Sequence, residues 1–191
     1  MNTAISTDYG KVLRDKDEHE LFYEVGEVST MARKVFFSFH YRNDISRVMV
    51  VRNRWVTYGG QLASQIIDKA DFEQIKLKGD AAVKRWIDNQ MDGTTATVVL
   101  IGSETLKRPY VQYEIRKSIE RGNALIGVYI NRIRDLYGFQ SCPCPRHTVI
   151  GTYSNGRNAH FDEVADAIYD YEIQNGYSNL HLWVDDAVRK H

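Results

Sequence analysis

Two stretches of this chain place residues that can do chemistry at the ends of apolar runs. In Lys34-Val-Phe-Phe-Ser-Phe-His-Tyr-Arg-Asn-Asp44 an apolar run stops in hydroxyl, aromatic, imidazole and basic side chains. In Val98-Val-Leu-Ile-Gly-Ser-Glu-Thr-Leu-Lys-Arg-Pro-Tyr-Val-Gln-Tyr-Glu-Ile115 a second run ends at Gly102 and Ser103, and a helical segment then presents one carboxylate, Glu114. A carboxylate held over the end of a buried strand suits reactions that develop positive charge, because it stabilises a cation directly or holds the hydroxyls around it. The alternative is a solvated helix glutamate, the usual place of a charged side chain. Ser103 has two readings as well, a donor to ligand or a cap for the helix that follows.

The elements that must position these residues follow from hydrophobic spacing. Lys34 to Phe39 reads as a central parallel strand, since it is apolar and buried in character rather than alternating. Asn43 or Asp44 then caps a helix in which Ile45, Val48, Val51 or Arg52 and Trp55 recur at helical spacing, up to a stop at Gly59-Gly60. A short strand is expected at Ser64 to Ile67, ending at Asp68, with a mobile charged connection from Lys69 to Gly79. Asp80 caps Ala81 to Gln90, and Asp92-Gly93 turns into the strand Ala96 to Ile101. A helix from Leu106 or Pro109 to Arg121 stops at Gly122-Asn123, and the strand Leu125 to Ile130 follows. Residues 131–158 are loop-rich, with a short strand at Thr148 to Gly151. Two terminal helices, Phe161 to Tyr171 and Asn179 to Arg189, close the chain. Such alternation predicts an α/β fold, a flavodoxin-like parallel sheet with helices on both faces.

At 191 residues the chain suits one domain with a full core. Residues 1–30 read as an N-terminal extension, either a poorly ordered or non-native leader before a start at Met31 or an arm that packs through Leu21, Phe22 and Tyr23, and residues 31–191 as the domain with its C-terminal helices. Lysine plus arginine and aspartate plus glutamate number 25 each, so no net field favours nucleic acid or an anionic membrane. Apolar runs such as Thr97 to Ile101 fall far short of the roughly 20 residues that cross a bilayer, and no secretory signal is evident, which points to the cytoplasm. The two cysteines, Cys142 and Cys144, stand in Cys-Pro-Cys-Pro-Arg-His147 with no second Cys/His pair nearby. A surface loop with reduced thiols is expected there, and no metal site.

From about Arg33 to Asn131 the chain resembles TIR domains, and over a longer stretch, to the C-terminus, the TIR-like ThsB proteins of bacterial Thoeris antiphage defence. The phrases that carry this are Lys34-Val-Phe-Phe-Ser-Phe-His-Tyr41, Val50-Val-Arg-Asn53 with Trp55-Val-Thr57, Asp92-Gly-Thr-Thr95, Leu100-Ile-Gly-Ser-Glu-Thr105, Tyr113-Glu-Ile115 with Lys117-Ser-Ile-Glu-Arg-Gly-Asn123, and Asn175-Gly-Tyr-Ser-Asn-Leu180 with Trp183-Val184. The resemblance implies an enzyme that cleaves the nicotinamide–ribose bond of NAD and makes a cyclic ADP-ribose-type signal. It further implies a ThsA-type effector that receives the signal, a phage-derived trigger, and self-association of TIR domains. Glu114 matches the family's catalytic glutamate. Ser38, Phe39, His40 and Tyr41 match positions lining the nucleotide cleft, and Asp68 opens the loop that closes over it. Tyr110 stands where many relatives carry tryptophan, four residues before Glu114 and so on the same helix face. No Gly-x-Gly-x-x-Gly follows the first strand, so NAD is expected as substrate and not as bound cofactor. The tyrosine at 110 also keeps open a non-catalytic TIR scaffold. A flavodoxin-like module that binds a nucleotide without cutting it rests on fold analogy alone.

Overall fold

The computed structural model describes residues 33–57, 60–62 and 69–191. The chain divides into Met1–Met31 and Ala32–His191, and the account below concerns the second unit. The expected extension, the strand at Ser64 to Ile67 and Asp68 lie outside the described residues.

A five-stranded sheet forms the centre, with β1 (Lys34–Phe39), β2 (Gln61–Leu62), β3 (Ala96–Ile101), β4 (Ala124–Tyr129) and β7 (Ala167–Asp170) in the order β2-β1-β3-β4-β7. Every neighbouring pair is parallel. All six residues of β3 and all six of β4 are buried. That explains their unbroken apolar sequence, since a central parallel strand is covered on both faces. Strand alternation sorts the side chains. Val35, Phe37, Val98, Leu100, Ile126 and Val128 face α1 (Tyr41–Thr57) and α6 (Gly176–Lys190), where Val48, Val51, Trp55, Leu180 and Val184 complete the core. Val99, Ile101, Leu125 and Tyr129 face α4 (Pro109–Arg121), through Val111 and Ile115. Phe36 packs with Val83, Ile87 and Met91 beside α3 (Asp80–Gln90). Full burial of each large aliphatic side chain contributes roughly 1.5–3 kcal/mol. Helices therefore cover both faces, and the fold is α/β and flavodoxin-like.

Several expected elements differ. Residues Lys69–Leu77 form helix α2 and not a mobile connection, because Lys, Glu, Gln and Leu are strong helix formers and Ile75 gains a place against the Phe36 cluster. Helix α1 begins at Tyr41, so Asp44 lies inside its first turn and does not cap it. Gly79 takes the cap position before α3, where Asp80 was expected. The strand near residue 150 is β5 (Val149–Thr152), which pairs antiparallel with β6 (Asn158–His160) in a separate hairpin. The expected helix Phe161 to Tyr171 is only a single turn, α5 (Phe161–Val164), and the chain then enters β7. Asp166 causes this change. Its amide donates to Leu125 O at 2.8 Å and its carboxylate accepts from Leu125 N at 2.6 Å, drawing the chain onto the open edge of β4. Cys142 is exposed as expected, whereas Cys144 is buried against the α4 side of the core.

Candidate active site

In open α/β sheets, ligands bind outside the carboxyl ends of the strands where the strand order reverses. Here the chain leaves β1 for β2 on one side and reaches β3 on the other, so the reversal lies between Phe39 and Ile101. Three connections meet there, those following β1, β3 and β4.

Glu114 approaches from below, on α4. Proline at the first helical position starts this helix and Gly122, at φ 68°, ends it in the left-handed conformation. Val111, Ile115 and Ser118 form its buried stripe, and Glu114 falls within that spacing. The Ser118 hydroxyl lies 2.6 Å from the Thr97 hydroxyl and 2.9 Å from Glu114 O, which fixes the helix onto β3. Ser38, 1% exposed, points to the same face and donates to Glu114 Oε2 at 2.5 Å. Glu114 keeps a minor exposed surface as a residue, while its carboxyl turns inward onto Ser38. Burial pushes its pKa up to about 8, against the opposing effect of the Ser38 hydrogen bond. The group is therefore mostly protonated at neutral pH, and a cation nearby would favour its ionised form.

Above this pair, two buried charged residues lock the three connections together. Asp44, fully buried, accepts from Thr105 Oγ1 at 3.4 Å, and Thr105 Oγ1 accepts from Gly102 N at 2.9 Å. A Cβ at Gly102 would lie 2.2 Å from Asp44 Oδ2, so only glycine permits this approach. Burial raises the Asp44 pKa while Arg47 and Thr105 oppose the shift. Arg47, 4% exposed, donates to Ile133 O and Phe139 O at 2.8 Å each, and to Asp135 Oδ2 at 3.3 Å. The connection after β4 is thereby held against α1. Neither residue was expected at the site.

The other sequence candidates divide. His40 sits between β1 and α1, half-buried, and its pKa is lowered by burial, then by Arg108, against the effect of Glu104. Phe39 packs against the α1 and α6 side, away from Glu114, and its ring stacks on Tyr41 at 6.4 Å. Ser103 is half-buried in the turn after β3 and caps neither the 3-10 turn Thr105–Lys107 nor α4. Tyr110 packs into the seam with Phe36, Val83 and Ile87. Burial and then Asp80 raise its hydroxyl pKa. The structure thus unites Ser38 and Glu114, places His40 and Ser103 at the rim, and turns Phe39 and Tyr110 into packing. Among the described residues no cluster of three or more His, Cys, Asp or Glu side chains could hold a metal ion, and no helix is long and apolar enough to cross a membrane.

A parallel sheet covered by helices on both faces, with an inward carboxylate below its switch point, makes this a flavodoxin-like α/β domain. Residues 36–135, more than half of the 191, match the family described as Thoeris protein ThsB, TIR-like domain, and the chain belongs to that family. A Bacillus cereus (strain MSX-D12) protein named "Putative cyclic ADP-D-ribose synthase ThsB1" is 50% identical over 109 residues, 56% of this chain. The match spans 57% of that relative's own length.

Proposed function

We propose that this chain cleaves NAD, releasing nicotinamide and converting the remaining ADP-ribose into a cyclic ADP-ribose-type signal for a ThsA-type effector in Thoeris antiphage defence. The observation that carries this reading is the Glu114 carboxyl, buried on α4, bonded to Ser38 and lying at the switch point of a ThsB-family fold. The name of the Bacillus relative points the same way.

The C–N bond between nicotinamide and ribose breaks with its electron pair going to nicotinamide, which leaves neutral. The ribosyl group is left as an oxocarbenium-like cation. Ionised Glu114 stabilises that cation, and the low-dielectric surroundings that raise its pKa strengthen the attraction. Capture by a nucleophile of the same molecule, with loss of a proton where that atom carries one, closes a ring; capture by water gives ADP-ribose and makes the enzyme a nucleosidase. NAD is consumed as substrate, and no bound cofactor or metal takes part. The protein acts in the cytoplasm, is switched on by a phage-derived component, and assembles through TIR self-association.

Incubating the triggered protein with NAD and resolving products by mass spectrometry tests this. Nicotinamide and a cyclic product are expected, and Glu114→Gln should abolish both. Equal output from that variant would overturn the role given to Glu114. The second reading, a non-catalytic scaffold, draws support from Tyr110, whose ring fills the α3–α4 seam. It predicts self-association with no nicotinamide released under any trigger.

A further inference from the structure

We propose that Glu104 occupies, as an internal carboxylate, a phosphate subsite formed by Asn43, Arg108 and His40, and that a phosphate of the dinucleotide displaces it. The inference rests on the NAD-cleaving reading above and adds to it a residue set and a built-in competitor.

Asn43, Glu104 and Arg108 come from different segments that converge at the switch point, and His40 precedes Asn43 on the connection after β1. Asn43 lies in the first turn of α1, after β1, and Glu104 in the turn after β3. Arg108 is the residue immediately before α4. Glu104 Oε2 accepts from Asn43 Nδ2 at 3.0 Å and also from Arg108 Nη2. Two donors on separate elements aimed at one anionic oxygen is the arrangement that holds a phosphate oxygen.

Glu104 satisfies this set only in part. Arg108 Nε is buried and has no hydrogen-bond partner among the described residues, and the same is true of His40 Nδ1. A guanidinium binds best as a fork, through two parallel N–H bonds to two oxygens. Here the fork is half used. A phosphate offers more oxygens than a carboxylate, enough to take Arg108 Nη2 and Nε together while leaving one for Asn43 or His40. His40 lies in the combined field of Arg108, Glu104 and Arg42, with burial and the two arginines disfavouring its cationic form. A neutral imidazole protonated at Nδ1 donates from that atom.

Displacement is feasible because the latch is weak. The Glu104 and Arg108 side chains are 48% and 39% exposed, so solvent screens their attraction. Without Glu104, the Arg108 guanidinium and the Asn43 amide are left with no anion between them, and a phosphate supplies the missing charge. Glu104 therefore lowers affinity for the phosphate moiety and keeps the site closed to weakly held nucleotides.

Calorimetry with ADP-ribose, and with adenosine as a phosphate-free probe, tests the subsite. Arg108→Ala should weaken ADP-ribose binding about tenfold or more, Arg108→Lys should weaken it less, and Glu104→Gln should tighten it several-fold; adenosine binding should not respond. Matching thermal melting of each variant shows that it is folded. Unchanged ADP-ribose affinity in Glu104→Gln and Arg108→Ala, or failure of Glu104→Gln to bind ADP-ribose at all, overturns the proposal. ADP-ribose binding that follows Arg108 and Glu104 in a protein that never releases nicotinamide overturns the catalytic reading and leaves the subsite standing.

Discussion

The hydroxyl of Ser38 lies 2.5 Å from Glu114 Oε2, across 76 residues of sequence. The contact joins the end of β1 to the inner face of α4 and sets how readily Glu114 loses its proton. Burial raises the pKa to about 8 and the Ser38 bond works against that rise. For NAD cleavage that needs the ionised group, kcat/KM should climb with pH and level off above about 8, because this parameter reports the free enzyme. Ser38→Ala removes the opposing bond, so its rising limb should move to higher pH and its activity at pH 7 should fall. A rate profile with no change in that limb would deny Ser38 this role.

The same proton affects stability. Glu114 has a folded pKa of about 8 against an ordinary 4.5, so between those values the native state binds more protons than the unfolded chain. Stability then falls as pH rises through that window, at up to about 1.4 kcal/mol per pH unit. Below the window both states hold the proton, and above it neither does, so the slope from this group vanishes. Glu114→Gln should flatten the slope and be more stable than the parent at pH 9, with little difference at pH 4. Urea denaturation across that range measures the effect.

Arg47 makes a separate test of how the site is held. It is buried beside Asp44, with Nη1 3.7 Å from Asp44 Oδ1, and it satisfies the carbonyls of Ile133 and Phe139. Arg47→Met leaves a buried carboxyl without its ion-pair partner and two carbonyls without their donor, and should cost about 3–5 kcal/mol in chemical denaturation. Asp44→Asn keeps the shape and removes a charge that burial already disfavours, so it should cost much less. Equal losses from the two would mean that the charge pair, and not the carbonyl anchoring, dominates.

Residues 34–39 and 96–101 were legible as strands because runs buried on both faces are mostly apolar, with Ser38 and Thr97 the small buried polar residues among them. Glu114 was legible as special because of the residues around it, and its inward direction follows from the positions of Val111, Ile115 and Ser118. Asp44 and Arg47 were not. Their burial depends on Thr105, Ile133 and Phe139, which lie 61, 86 and 92 residues away and leave no local pattern. Strand β7 escaped for a related reason: four half-buried residues at a sheet edge carry little periodicity, and Asp166 reads as a loop residue until Leu125 is beside it. Helix α2 was not legible because four charged residues in nine, Lys69, Asp71, Glu73 and Lys76, obscure any apolar stripe that would include Ile75.

Gly102 offers the sharpest test of the packing above Glu114. A methyl group there would meet Asp44 Oδ2 at 2.2 Å and Oδ1 at 2.3 Å, inside any tolerable contact. Asp44 is fully buried and tied to Thr105 and Arg47, so it cannot swing aside without breaking those contacts. Gly102→Ala should therefore cost about 1–3 kcal/mol, the range for overpacking a close-fitting interior. Asp44→Ala removes the obstructing carboxyl. In the double variant the methyl group at 102 no longer meets it, so the combined loss in thermal or urea denaturation should be smaller than the sum of the single losses by at least about 0.5 kcal/mol. Simple additivity would show that the two residues do not press on one another, and the lock between the β1 and β3 connections would have to be sought elsewhere.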